Sequence, residues 1–202
     1  MIEVEIKARI LNADEMKKKF ERKEGEYKLS LIHEDTYFNM PKNLRDFKKT
    51  DEALRIRKSI EYKKNDKSYK GKKKYYITYK GKKIDTITKT RKELESKLSN
   101  GEEMKEILGI LGFQEIFTVK KERDLYEFNF KDHHITALID YIPRLKQNFI
   151  EVEIIIESTE NLEEARQILF DFLSLFDIKK EDSIQLSYLE LIADRFRGKI
   201  RR

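Results

Sequence analysis

Apolar and charged residues alternate strictly at the start of the chain, with Ile2, Val4, Ile6 and Ala8 on one parity and Glu3, Glu5 and Lys7 on the other. A period of two predicts a β-strand over residues 2–10, because successive side chains of an extended backbone point to opposite faces. Strand patterns follow at 33–39 (HEDTYFN), 53–60 (ALRIRKSI), 75–80 (YYITYK), 116–128, 134–141 and 149–157. Residues 86–97 (TITKTRKELESK) begin β-like and then become ambiguous. Met40-Pro41 closes the second strand, and Gly81 marks the turn after 75–80. Glu3-Val4-Glu5-Ile6 recurs letter for letter as Glu151-Val152-Glu153-Ile154, so two strands each project a pair of carboxylates from one face.

Between the strands the period lengthens to that of a helix. Asn12 with Glu15 reads as a capping box for a helix over about 13–24, its inner face carrying Met16 and Phe20. Ser99 with Glu102 predicts a second helix over about 102–111, stopping near Gly112. Asn161 with Glu164 predicts a third, running to about 175 with an apolar stripe of Ala165, Ile168, Leu169, Phe172 and Leu173. A last helix is expected over roughly 182–195. The order β-α-β-β-β-β-α-β-β-β-α-α predicts an α+β fold. Its antiparallel sheet is joined largely by hairpins and curled or closed into a barrel, with helices outside. One domain over residues 1–202 accounts for it.

Composition narrows the chemistry. The chain is 39% hydrophobic and 41% charged, which suits a soluble globular domain with a real core. No apolar run reaches the length of a membrane span and no signal-peptide pattern opens the chain, so a cytoplasmic protein without membrane contact is expected. Zero Cys excludes disulfides and thiolate metal sites. Only His33, His133 and His134 could offer imidazole, so a metal site must rest on carboxylates, which favours Mg²⁺ or Mn²⁺. The formal charge of +6 is concentrated in a lysine-rich hairpin loop at 61–74 and a basic tail at the C-terminus. A solvated hairpin tip and a tail fraying over 196–202 explain both segments better than nucleic-acid binding does.

Sorting strand residues by parity isolates the candidate site. Glu3, Glu5 and Lys7 share a face, as do Arg55 with Arg57, Thr78 with Lys80, Lys121 with Arg123, and Glu151 with Glu153. Arg91, Glu93 and Glu95 join them if their stretch is extended, and Asp140 opposes Ile139 and Tyr141. Two architectures fit. In one, the charges face bulk water and the apolar parity packs on helices. In the other, the sheet closes with its charges inward and forms a wet tunnel. Repeated like charges on neighbouring positions are costly unless an opposite charge lies between them. A polyphosphate with its cations supplies both signs.

Glu3-x-Glu5-x-Lys7 resembles the ExExK signature of the CYTH, or triphosphate tunnel metalloenzyme, superfamily, and the class IV adenylyl cyclase branch is the closest match. His33-Glu-Asp35-Thr-Tyr37-Phe38-Asn39, Arg55-Ile-Arg57, Thr78-Tyr-Lys80-Gly81, Arg91-x-Glu93-x-Glu95, Lys121-x-Arg123, Asp140, Glu151-Val-Glu153 and Ser187-Tyr188 follow in the family order. The resemblance implies an eight-stranded antiparallel closed barrel, its charged interior binding a triphosphate with Mg²⁺ or Mn²⁺, and helices on its flanks. It implies that Glu3, Glu5, Asp140, Glu151 and Glu153 hold metal directly or through water, with Glu3, Glu5 and Glu153 catalytic. Lys7, Arg55, Arg57, Lys80, Arg91, Lys121 and Arg123 are implied to grip phosphates. The reaction implied is cyclisation of ATP to cyclic AMP and pyrophosphate. The alternatives are hydrolysis of inorganic, thiamine or nucleoside triphosphate, and a non-catalytic module binding polyphosphate or nucleic acid. His133 and His134 are expected to be exposed, His33 structural or exposed, and Tyr188 a core residue. An outer helix stripe or the C-terminal helix could pair two copies as a homodimer, but no residue sets its geometry.

Overall fold

In the computed structural model, residues 2–62, 71–85 and 88–200 are described, the last four without side chains. Most of the lysine-rich loop (63–70) and the end of the basic tail (201–202) lie outside the described residues. Eight strands form a closed barrel in the order β1-β5-β4-β3-β2-β6-β7-β8. They are β1 (Ile2–Ile10), β2 (Glu26–Asn39), β3 (Ala53–Tyr62), β4 (Lys73–Lys83), β5 (Arg91–Leu98), β6 (Gln114–Phe130), β7 (His133–Ile142) and β8 (Gln147–Ile156). Every neighbouring pair is antiparallel. The helices are α1 (Ala13–Arg22), α2 (Gly101–Ile110), α3 (Leu162–Ser174) and α4 (Tyr188–Ile200). No described helix is long and apolar enough to cross a membrane.

The barrel is inside out relative to a soluble sandwich. Val4, Ile6 and Ala8 of β1 turn outward with Ile150, Val152 and Ile154 of β8 and Ile135, Ala137 and Ile139 of β7. Met16 and Phe20 of α1 and Ala165, Leu169, Phe172 and Leu173 of α3 cover them, so the main core lies between wall and helices. Each fully buried Leu or Phe there contributes on the order of 1.5–3 kcal/mol. A smaller cluster of Leu108 and Met104 from α2 seals the outer face of β3 and β4. With the apolar parity committed outward, the charged parity has only the lumen left.

Several local expectations need correction. Asn100, rather than Ser99, caps α2, accepting from the Glu102 and Glu103 N–H groups at 3.1 and 3.3 Å. Asn161 occupies the N-cap position of α3 without a side-chain bond; Ser158 caps the preceding 3₁₀ turn instead. The second strand begins at Glu26, well before residue 33, because β6 supplies a partner along its whole length. The last helix is split: a turn at Lys180–Asp182 and a non-helical stretch precede α4, which then continues through the tail to Ile200. The ambiguous stretch resolves at Arg91, where β5 begins, since β4 pairs with Glu93–Leu98 in one register and, after an irregularity, with Arg91. Lys131 and Asp132, both at positive φ (50° and 62°), make the two-residue turn joining β6 to β7.

The wall has one seam. β1 and β5 share only Ile2↔Lys92 and Glu3↔Arg91. Farther along β1, two other segments fill the gap: Lys89 N–H donates to Glu5 O at 3.1 Å and Ile184 N–H donates to Lys7 O at 2.7 Å. These segments bring Lys89 and Tyr188 into the lumen.

Candidate functional site

Acids line one side of the lumen. Glu5 of β1 stands directly across from Glu153 of β8, a like-charge pair that destabilises a sheet unless a cation intervenes. Glu3 completes the group: one carboxylate oxygen from each of Glu3, Glu5 and Glu153 lies within 4.8 Å of the others. Burial, then Glu93, raises the Glu3 carboxyl to about 7. Burial and the neighbouring Glu3 push Glu153 well above the usual carboxylate range. Neither makes an ion pair among the described residues, whereas Glu5 accepts from Lys89 Nζ at 2.5 Å. Three crowded hard oxygen donors, two of them without a protein cation, fit a divalent ion such as Mg²⁺ or Mn²⁺.

Cations occupy the rest of the wall, each set by acids behind it. Asp35 of β2 takes Arg57 in a two-pronged pair at 2.7 and 2.9 Å and lies 3.5 Å from Arg55 and 3.9 Å from Lys121. Burial opposes ionisation of Asp35, but Arg57 and Arg55 outweigh it and hold its carboxyl well below the usual range. Arg55 also donates to Thr78 at 3.1 Å. Lys80 bonds Glu93. Arg91 turns to the backbone oxygens of Gly81 and Asp51, at 3.1 and 3.3 Å. Lys121 is less well neutralised: burial, then Arg123 and Arg57, bring its ammonium down to about 8.

Asp140 and Glu151, expected as metal ligands, have other partners. Arg123 grips Asp140 through two bonds of 2.6 Å and also bonds Glu151. Glu151 further accepts from Lys89 at 3.2 Å and lies 3.9 Å from Lys7. Burial works against its charge, yet Lys89 and Arg123 together keep its carboxyl well below the usual range. Lys7 is fully buried and bonds Leu186 O at 2.5 Å. Burial, then the nearby Lys89, lowers its pKa well below the ordinary lysine value.

Tyr188, expected in the core, packs there against Phe149 and also closes this wall. Its hydroxyl donates to Asp140 at 2.8 Å, and Lys7, Lys121 and Lys89 lie 4.2, 5.4 and 5.7 Å from its ring centre. The ring's negative face thus shares three ammonium groups. His33, expected to be structural or exposed, is buried on the lumen parity of β2, opposite Lys121, with Nδ1 lacking a hydrogen-bond partner. Burial, then Arg57, Lys121 and Arg123, hold the imidazole neutral. His134 is exposed and His133 half-buried, both at the cavity mouth.

The cavity encloses about 1210 Å³, more than the roughly 300–1,000 Å³ of a typical small-molecule site. Strand parity could have assigned a lumen position to Asp35 and His33. Lys89 carried no such signal, because it enters through the seam; Tyr188, on a helix, lay beyond strand parity and was marked only by the Ser187-Tyr188 motif.

The CYTH domain family matches residues 1–188. A Methanocaldococcus jannaschii protein named as a candidate adenylate cyclase is 35% identical over 191 residues, covering 95% of this chain and 98% of its own. The structure of the PH1819 protein from Pyrococcus horikoshii superposes with a TM-score of 0.82 at 34% identity, over 96% of this chain and 99% of that one. A Hippeastrum protein, described as a candidate adenylyl cyclase with a dominant triphosphatase activity, shares the fold. Its TM-score is 0.62 at 15% identity, over 95% of each chain.

Proposed function

This chain belongs to the CYTH domain family, and from that premise we propose that its barrel is a divalent-metal-dependent triphosphate tunnel converting ATP to cyclic AMP and pyrophosphate. The observation that carries the reading is the crowding of Glu3, Glu5 and Glu153 beside buried, under-neutralised lysines. Such a lumen is complete only with a cation for the acids and an anion for the bases. The name of the archaeal relative supports the cyclase product. The activity described for the Hippeastrum protein supports hydrolysis as a second reading.

Glu3, Glu5 and Glu153 hold the ion. Bound Mg²⁺ or Mn²⁺ supplies Lewis-acid neutralisation of phosphoryl oxygens. Arg55, Arg57, Lys80, Lys89, Arg91, Lys121 and Arg123 line the cavity and bind the triphosphate, and the fully buried Lys7 of β1 adds positive charge behind them. Catalysis is then mostly positioning and charge stabilisation, as elsewhere in phosphoryl transfer. Asp35 orients Arg55 and Arg57, and Asp140 with Tyr188 orients Arg123, so these forks meet phosphate without reorganising. In the cyclase the ribose 3′-hydroxyl gives up its proton and bonds the α-phosphorus as pyrophosphate leaves. In the hydrolase a water attacks a terminal phosphorus and orthophosphate leaves.

Product analysis tests the proposal. Cyclic AMP with pyrophosphate from ATP and Mg²⁺ or Mn²⁺ is the expected result, and orthophosphate from ATP or inorganic triphosphate selects the hydrolase. Absence of turnover with either substrate would reject both in favour of a binding module.

The raised carboxyls give the metal site a pH dependence. Glu3 moves from 4.5 to about 7, so the folded protein holds a proton there that the unfolded chain releases. Its contribution to stability therefore falls as pH rises from about 4.5 to about 7. A divalent ion must displace that proton, so its binding strengthens with pH through the same window. Mg²⁺ should raise the melting temperature more at about pH 8 than at about pH 6; equal shifts would contradict the assignment.

A further inference from the structure

A second cavity lies beyond the tunnel, at the end of the barrel where β1 finishes and β8 begins. It encloses about 600 Å³, within the roughly 300–1,000 Å³ of a small-molecule site. An apolar plug separates the two spaces. Phe149, on the parity of Glu151 and Glu153, meets the Tyr188 ring edge-on at 5.1 Å, in one cluster with Leu145 and Leu191. Tyr188 faces the tunnel, whereas Leu145 and Leu191 line the second cavity. Its charges come from both walls. Arg9 continues the Glu3-Glu5-Lys7 parity of β1 to a position directly opposite Phe149, and α4 contributes Arg195.

Three donors converge there. Arg9 is exposed, and its guanidinium has no hydrogen bond or ion pair among the described residues. Arg195 donates one N–H to the backbone oxygen of Leu145, which fixes the guanidinium beside the turn between β7 and β8. Its other donors have no acceptor among the described residues. Gln147 is the diagonal neighbour of Arg9 on the same face, roughly 7–8 Å away. Asp194 also borders the cleft but has an interaction of its own. Two arginines against one aspartate leave the lining at a net +1. Such a lining repels metal ions and attracts an anion, and planar guanidinium forks match phosphate oxygens. The rest of the lining is apolar: Leu145, Leu191 and Leu186, the last 37% exposed. A bare phosphate would leave that surface wet.

We propose that this cleft binds a phosphomonoester with an apolar or aromatic body. Arg9, Arg195 and the Gln147 amide hold its phosphate, and the body rests on the three leucines. The plug keeps the site apart from the tunnel, so it stands or falls independently of the enzymatic reading.

Phenyl phosphate, one phosphate on one apolar ring, is the probe. Titrated into the isotopically labelled full chain without metal, it should shift the backbone amide resonances of Arg9, Leu145, Gln147, Leu186 and Arg195 along one binding curve. The expected dissociation constant is about 1 mM or tighter. Binding in the tunnel would shift Arg55, Arg57 and Lys121 instead, so the two sites are read separately. Arg9→Gln should weaken binding in the cleft at least about tenfold, the worth of a charge-assisted hydrogen bond. Its melt should be unchanged, because Arg9 has no partner to lose. Gln147→Glu, which puts a negative charge beside the phosphate, should abolish binding. Benzoate keeps the ring but offers a carboxylate, and should bind about tenfold more weakly. Inorganic phosphate lacks the ring and should also bind more weakly. Absence of shifts in the cleft, equal affinity for benzoate or inorganic phosphate, or undiminished binding by Arg9→Gln overturns the proposal.

Discussion

Glu5→Gln is expected to cut metal-dependent turnover by at least a factor of about 100, on the scale lost when one preorganised electrostatic group is removed. The substitution keeps the volume and deletes one negative charge from the trio with Glu3 and Glu153. A factor of 100 corresponds to about 2.7 kcal/mol of transition-state stabilisation. The fold should survive. Glu5 faces Glu153 across β1 and β8, so removing its charge relieves a like-charge pair, and Lys89 retains Glu151 as a partner. The check is a rate measured with saturating Mn²⁺ together with a melting curve. Loss of both turnover and the metal-induced rise in melting temperature, with the metal-free melt unchanged, is the expected pattern. Wild-type turnover would remove Glu5 from the metal site.

Asp140→Ala should act in the opposite sense, on stability before chemistry. Asp140 is fully buried, takes both prongs of Arg123 and accepts the Tyr188 hydroxyl. Truncation leaves a buried guanidinium with Glu151 alone and a buried phenol without its acceptor. Removing one partner of a buried pair costs about 3–5 kcal/mol, which lowers the melting temperature of a domain this size by roughly 6–20 °C. Activity should fall as well, because Arg123 loses the orientation that points it at phosphate. A melt within a degree of wild type would show that Asp140 does not anchor this wall.

Much of this site follows from the sequence pattern, for a particular reason. Side chains of a strand alternate without exception while it stays extended, so Glu3, Glu5, Arg55, Arg57, Lys121, Arg123, Glu151 and Glu153 could be sorted by parity alone. The same rule fails wherever the chain leaves a strand. Lys89 sits in a connection that plugs the β1–β5 seam, and Tyr188 begins a helix that follows a non-helical stretch. Their approach to the lumen depends on how the barrel closes. Strand ends were blurred for a related reason: β2 extends back to Glu26 because β6 pairs with it there.

Capping shows the limit at shorter range. Asn12 caps α1, accepting from the Asp14 and Glu15 N–H groups, while the Glu15 side chain makes no return bond to the Asn12 N–H that would complete the expected capping box. Ser99 is the expected cap of α2, but Asn100 takes the extended N-cap conformation (φ −139°, ψ 110°) and accepts the first-turn N–H groups.

By itself, the sequence determined which residues share a face, which faces carry acid and which carry base, and how many strands and helices alternate. Those are properties of neighbours along the chain. The tertiary structure decided that the charged face closes inward, because α1 and α3 cover the apolar face and leave the lumen as the only place for the charges. It also decided which charges meet. Glu3, Glu5 and Glu153 crowd together because β1 and β8 are paired in one register. Asp140 and Glu151 are drawn to Arg123 because β7 lies between β6 and β8 in the closed order.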